Sequence, residues 1–137
     1  MTKPVVLIVE CEALIRISAV HIVEDAGFSV LEACNADDAI RLLESRSEIR
    51  AVLTGVNMPG SMDGLKLAHA IRGRWPPVHL IVTSGLNVRD RLPSSSRFIH
   101  KPYSAEHIRI ALSELFGSHP APRQLFRGGG GNCANVA

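Results

Sequence analysis

The sequence predicts an α/β fold in which a doubly wound parallel sheet carries helices on both faces. Short runs of β-branched and aliphatic residues alternate five times with segments whose apolar residues recur at helical spacing. The first run, Val5–Val9, contains no polar residue, as expected of a strand buried on both faces. Strict alternation of strand and helix requires crossover connections, which are right-handed and join parallel strands. The expected architecture is therefore a (βα)5 sheet.

The first half of the chain predicts three strands and two helices. Gly27 ends a first helix whose inward face carries Ile15, Ala19, Ile22, Val23 and Ala26. Residues 28–33 form a second strand, after which Asn35 is placed to cap a helix with Ala36, Ala39, Ile40 and Leu43 on one face. Residues 51–54 form a short third strand that leads into a loop rich in glycine and proline.

The second half predicts two more strands and three helices. Asp63 caps a helix that Pro76 and Pro77 terminate, and residues 78–83 form the fourth strand. A fourth helix is expected over residues 86–92. It is the weakest of the predicted helices, because the segment is short and charged and Pro93 closes it. Residues 98–99 belong to the last strand, and Ser104 caps a final helix that ends before Gly117.

One domain, residues 1–117, accounts for the periodic part of the chain. Residues 118–137 contain four consecutive glycines and show no periodicity, which predicts a flexible tail rich in proline and glycine.

Composition excludes several classes of protein. Of the 137 residues, 46% are apolar and 20% are charged, which is typical of a globular protein and argues against a disordered one. The net charge of +2 and the scattered basic residues argue against a nucleic-acid surface. No apolar run approaches about 18 residues, and the N-terminus lacks a signal-peptide pattern, so neither membrane insertion nor export is expected and the cytoplasm is the predicted location. The three cysteines, at 11, 34 and 133, lack the spacing of a disulfide framework or a zinc site.

In doubly wound sheets, ligands bind at the carboxyl ends of the strands. The segments there are residues 10–12, 54–59, 83–85 and 100–102. With their strands they read VLIVECEALIR, AVLTGVNMPGSMDG, LIVTSG and FIHKPY. Taken together and in this order, they resemble the receiver domain of two-component response regulators, the CheY-like family. The resemblance covers residues 5–116 and implies a flavodoxin-like sheet of order 2-1-3-4-5.

The resemblance also implies a chemistry. Receiver domains accept a phosphoryl group from a histidine kinase on an aspartate, with Mg²⁺ held by acidic residues. Glu10 matches the first of two acids after the first strand, and Asn57 matches the residue whose backbone carbonyl binds the metal. Three further matches are the switch hydroxyl, the switch aromatic and the phosphate-binding lysine, which is followed by a proline in a cis peptide bond in the family: Thr83, Phe98 and Lys101.

Two positions depart from the family pattern. Cys11 stands where the family has the acid that binds the metal directly, and Gly55 stands where it has the phosphoacceptor aspartate. We therefore expect no phosphorylation at the usual site. No cofactor is expected, and a site reduced to Glu10 and the Asn57 carbonyl should hold Mg²⁺ weakly at best. Lys101, without its usual anion, is predicted to pair with Glu10.

The predicted function is that of a single-domain, non-enzymatic signalling module in a phosphorelay. It would bind a histidine kinase or another signalling protein, and neither nucleic acid nor membrane, through its fourth and fifth helices and fifth strand. Two alternatives remain open at this stage. The chain could be a variant, at Gly55, of an ordinary phosphorylated receiver, or Cys11 could serve a redox device together with Cys34.

Overall fold

The protein folds around a five-stranded parallel sheet whose strand order is β2-β1-β3-β4-β5. It is seen in a computed structural model that describes residues 3–60 and 62–117. The predicted tail, 118–137, and Cys133 lie outside the described residues. Along the chain the elements are β1 (Val5–Val9), α1 (Ala13–Asp25), β2 (Ser29–Ala33), α2 (Ala36–Ser45), β3 (Ile49–Gly55), α3 (Gly64–Arg74), β4 (His79–Ser84), a 3-10 turn (Arg89–Arg91), β5 (Ser96–His100) and α4 (Ala105–Phe116). The predicted fold class and strand order are confirmed.

Helices cover both faces of the sheet and enclose two apolar cores. On one face, α1 and α4 pack over a core that includes Ile8, Leu53 and Ile108. On the other face, α2 and α3 pack over a core that includes Leu7 and Ile71. In the part of the chain that the structure describes, no helix combines the length and the apolar character needed to cross a bilayer.

The predicted caps define where three helices begin. The Asn35 side chain accepts a hydrogen bond from the Asp38 amide at 2.8 Å, and Asp63 does the same for the Lys66 amide at 2.9 Å. Ser104 accepts from the His107 amide at 3.3 Å. His107 returns the contact, because its Nδ1 accepts from the Ser104 amide at 3.1 Å. Each cap satisfies a backbone donor that the helix itself leaves unpaired.

The expected fourth helix over residues 86–92 is wrong. The connection from β4 to β5 contains only the 3-10 turn Arg89–Arg91. Helices in proteins are stabilised mainly by packing an amphipathic face, and Val88 is the one residue of this segment that is fully buried. Leu86 is 74% exposed, and Pro93 disfavours a helical conformation at Leu92. Over residues 3–60 and 62–117, four α-helices therefore flank the sheet.

Side chains of α3 hold this connection in place of a helix. The Arg72 guanidinium donates to the carbonyls of Ser94 at 3.0 Å and Ser95 at 3.5 Å, and to those of Pro76 and Val78 in the loop just before β4. One turn earlier, His69 Nε2 lies 2.7 Å from the Arg91 carbonyl. These contacts give three carbonyls of the connection, those of Arg91, Ser94 and Ser95, a hydrogen-bond partner on α3.

Candidate functional site

Glu10 and Lys101 meet at the carboxyl edge of the sheet. Glu10 follows β1, which is adjacent to β3, and Lys101 follows β5, which is separated from β3 by β4, so the parallel topology places both residues at the same edge of the sheet. Lys101 Nζ lies 3.3 Å from Glu10 Oε1, which confirms the predicted ion pair. The other carboxylate oxygen accepts from the Glu12 amide at 3.2 Å. The Lys101 amide donates to the Ser84 carbonyl at 2.8 Å, which anchors the lysine to β4, and the Lys101–Pro102 peptide bond is cis.

Gly55, the last residue of β3, lies beside this pair. A Cβ atom at position 55 would lie 2.9 Å from Glu10 Oε1 and 3.7 Å from Lys101 Nζ. A side chain here would therefore point between the carboxylate and the ammonium. In its absence, the Glu10 carboxylate takes up the space next to the glycine.

A small cavity completes the site. Its volume is about 10 Å³, and Gly55, Glu10, Thr83 and Tyr103 are among the residues that line it. This is room for about one water molecule. Thr83 is 3% exposed, and its hydroxyl has no hydrogen-bond partner among residues 3–60 and 62–117. Burial raises the pKa of the Tyr103 phenol, and the Glu10 charge raises it further, so Tyr103 stays protonated at neutral pH.

Cys11 and Asn57 form the second part of the predicted site. Cys11 Sγ donates to the Asn57 backbone carbonyl over 3.6 Å, so position 11 does lie against this carbonyl. The available donors are one carboxylate, one carbonyl and one thiol. Within the described ranges there is no cluster of three metal-ligating side chains. Cys11 and Cys34 are both exposed and free.

Phe98 lies near the site but on the other face of the sheet. It packs against the core under α2 and α3, whereas Thr83 lines the cavity next to Gly55. The Arg89 guanidinium lies over the Phe98 ring, 4.7 Å from its centroid. Thr83 and Phe98 thus lie on neighbouring strands with their side chains on opposite faces of the sheet.

Gly64 positions the site, a role that the sequence reasoning missed. Its amide donates to the Val56 carbonyl at 2.8 Å, which fastens the start of α3 to the end of β3. A Cβ atom at position 64 would lie 1.8 Å from the Gly55 carbonyl oxygen, so any larger residue would push the two segments apart. The only sequence signal was a glycine just after the helix cap.

Comparison with known proteins agrees with the fold. A family model described as the response regulator receiver domain matches residues 6–113. This chain belongs to the receiver domain family. As a receiver domain it is a component of two-component signalling, in which such domains interact with histidine kinases and other signalling proteins.

Individual relatives share a modest fraction of the sequence. The chain is 29% identical over 116 residues to the sensor kinase CckA of Brucella abortus, which covers 80% of this chain and 12% of the kinase. It is 30% identical over 113 residues to an NtrX-like response regulator of Rickettsia bellii, covering 78% of this chain and 23% of the relative. The crystal structure of the NtrX receiver domain from Brucella abortus superposes with a TM-score of 0.72 at 26% identity, covering 80% and 96% of the two chains. This chain thus spans less than a quarter of these two sequence relatives.

Proposed function

We propose that this receiver domain works as a protein-interaction module whose phosphorylation switch is absent. The observation that carries the proposal is the placement of Gly55 between the carboxylate and the ammonium of the Glu10–Lys101 pair. A glycine offers no nucleophile at the position where a side chain would face the lysine. The lysine that would bind a phosphoryl group instead binds a carboxylate of the same chain.

Other oxygen nucleophiles near the strand ends are poorly placed to replace an aspartate. The Thr54 hydroxyl is fully buried and donates to the Gly55 carbonyl at 2.8 Å. The Asp63 carboxylate caps α3 through the Lys66 amide. The Thr83 hydroxyl faces a cavity of about 10 Å³, which is too small for a phosphoryl group.

The donor set does not fit the Mg²⁺ ion that the family uses. Mg²⁺ prefers oxygen ligands in octahedral geometry and gives up its water reluctantly. Here a thiol occupies position 11, and the Glu10 carboxylate is already paired with Lys101. We infer that the domain holds Mg²⁺ weakly or not at all, so no step of its function passes through the ion.

The consequence for signalling is a surface held in one state. In a switching receiver, the bound phosphoryl group would draw the lysine and the threonine together. In this chain the Glu10 carboxylate already lies beside Lys101, and the Arg72 contacts hold the β4–β5 connection. A partner such as a histidine kinase or another signalling protein would meet the surface of α4, β5 and this connection in the same form at all times.

The two alternatives gain no support from specific contacts. Exposed Cys11 is engaged with the Asn57 carbonyl, and nothing among the described residues links it to Cys34. A redox role and a phosphorylated parent with aspartate at position 55 remain hypotheses.

The test is to add Mg²⁺ and beryllofluoride, which mimics a phosphoryl group on aspartate, and to follow amide chemical shifts over residues 83–101. We expect no saturable change in the wild-type protein. The matched control is the double variant Gly55→Asp with Cys11→Asp, in which both missing carboxylates are supplied. Saturable shifts in the wild type at these residues would overturn the proposal.

A further inference from the structure

The outer edge of β5 is an open strand edge. β5 pairs with β4 alone and is the last strand of the described sheet. Because the Lys101 amide donates toward β4, and backbone direction alternates along a strand, the amides and carbonyls of Ser96, Phe98 and His100 point away from β4. These groups therefore face outward without a neighbouring strand.

The β4–β5 connection places no α-helix beside this edge. The segment before β5 makes only one 3-10 turn, and α4 is the helix that packs against β5. An open cleft of about 490 Å³ follows the strand along its whole length. Its walls are the five residues of β5, Arg89 on one side, and His107, Ile110, Ala111 and Glu114 of α4 on the other.

The two walls of this cleft differ in chemistry. On the Phe98 side stands Arg89, which has no carboxylate partner within the described residues and lies against the aromatic ring. On the α4 side, the charge of Arg97 is neutralised by Glu114 at 3.1 Å. The remaining feature of that wall is Ile110, which is 47% exposed although it is a large apolar residue.

We propose that the β5 edge, flanked by Arg89 and Ile110, binds an extended segment of a partner protein by strand addition. The proposal rests on the function proposed above and names the kind of partner. An added strand sends alternate side chains to opposite faces. One set would meet Arg89 and should be acidic, and the other would meet Ile110 and should be apolar.

A second copy of this chain is the less favourable occupant. Pairing of two β5 edges about a two-fold axis would bring the same patch of each copy together. Each patch carries the uncompensated Arg89, so the two copies would repel one another, whereas an acidic segment is attracted.

The probe is a blocked peptide of alternating glutamate and valine, about six residues long to match a strand. Its binding is followed by amide shifts and hydrogen exchange of the full chain. We expect saturable shifts and slower exchange at Phe98 and His100, whose amides point outward. A peptide of alternating lysine and valine should not bind. Methylating the alternate backbone nitrogens of the glutamate peptide should abolish binding, since strand addition needs those donors.

Protein variants locate the charge that recognises the peptide. Arg89→Glu should weaken binding of the glutamate peptide about tenfold. Arg74→Glu is the matched control, because Arg74 pairs with Glu44 away from the cleft, and it should bind as the wild type does. Binding that survives backbone methylation, absence of shifts at about 1 mM peptide, or self-association through β5 would each overturn the proposal. None of these outcomes bears on phosphoryl uptake at position 55, so the proposed loss of the switch is tested separately.

Discussion

The charges of the Glu10–Lys101 pair are unequally buried. The Glu10 side chain is 9% exposed and that of Lys101 is 28% exposed. A carboxylate this far from water depends on its partners, which here are the Lys101 ammonium and the Glu12 amide. The ammonium retains access to solvent. The two partners should therefore respond differently to removal of the pair.

Replacing the lysine should cost more stability than replacing the acid. Lys101→Met leaves the Glu10 carboxylate buried with a single amide donor, and we expect a loss of about 3 kcal/mol. Glu10→Gln leaves a lysine that water can reach, and we expect a loss of about 0–1 kcal/mol. Urea denaturation of the two variants measures the difference. Equal losses would contradict the account of the pair.

The backbone contact between Gly64 and Gly55 can be tested with two glycines of the same helix. Gly64→Ala would place its Cβ 1.8 Å from a carbonyl oxygen, so we expect destabilisation of about 3 kcal/mol or more. Gly73→Ala is the control, because no atom lies within 4 Å of its added Cβ. That variant should be stabilised by about 0.4–1 kcal/mol. Thermal denaturation distinguishes the two variants. If Gly64→Ala were as stable as the wild type, the start of α3 and the end of β3 could separate with little loss of stability.

His79, at the start of β4, should make stability depend on pH. Burial lowers the pKa of its imidazole, and nearby arginine charges, of which Arg50 contributes most, lower it further. Because the folded-state pKa lies below the unfolded value of about 6.5, the unfolded chain binds this proton more readily. The contribution of the neutral His79 imidazole to the free energy of unfolding is therefore fully present above about pH 6.5, and it is lost as the pH falls through the folded-state pKa.

The corresponding measurement is the free energy of unfolding between about pH 5 and pH 7.5. His79→Gln should remove part of the decline on acidification. His21→Gln, which replaces a solvent-exposed histidine of α1, is the matched control. If His79→Gln and the wild type decline in parallel, the imidazole is not the group responsible.

At the scale of elements, the unusual feature is a crossover held by side chains of another helix. Arg72 donates to four carbonyls, two in the loop just before β4 and two just before β5. A guanidinium can do this because its donors form a planar fork, whereas a lysine ammonium acts as a point charge. Arg72 thereby links α3 to the loop that enters β4 and to the end of the β4–β5 connection.

Arg72→Lys should loosen this connection. We expect a loss of about 1–3 kcal/mol from the carbonyls left without a charged donor. Hydrogen exchange should accelerate over residues 85–95 and remain unchanged in β1. Arg74→Lys keeps the same chemistry at an exposed site two residues away and should cost less than about 1 kcal/mol. Unchanged exchange over residues 85–95 in Arg72→Lys would mean that the connection is held by other contacts.

The elements that the sequence predicted well carry their own local signals. Asn35, Asp63 and Ser104 precede helical periodicity, and each caps its helix in the structure. The prediction of a fourth helix was wrong because strand–helix alternation says little about burial, and among residues 86–92 only Val88 reaches the core. The Arg72 contacts were not predictable, since they join α3 to carbonyls 22 and 23 residues away in sequence.

At the scale of the molecule, strand–helix alternation was enough to predict the sheet, its parallel strands and the edge at which the site lies. The Glu10–Lys101 pair was predicted from the receiver resemblance, which left Lys101 without its usual anion beside Gly55, and the structure confirms it. The close approach of Gly64 to Gly55 was not predictable, because it depends on the distance between two backbone segments. The open β5 edge was likewise not predictable, because the sequence pattern suggested a helix over residues 86–92 where the structure has only a 3-10 turn.

Under the proposed function, the absence of a carboxylate at positions 55 and 11 is what separates this domain from a phosphorylated receiver, so supplying both carboxylates should restore the chemistry. Gly55→Asp alone would place a carboxylate against Glu10 without a metal ligand at position 11, and Cys11→Asp alone would supply no acceptor. We expect the double variant to take up phosphate, provided that the flexible Glu10 side chain swings away from the 2.9 Å contact at position 55. A double variant that stays inert would show that the pocket differs from a phosphorylated receiver in more than these two residues.

The most direct test of the central claim is intact-mass spectrometry of the wild-type protein after incubation with acetyl phosphate and Mg²⁺, with the double variant treated in parallel. The account predicts no phosphate adduct on the wild type and a single adduct on the double variant. A phosphate adduct on the wild type, mapped to any residue from 54 to 63, would contradict it.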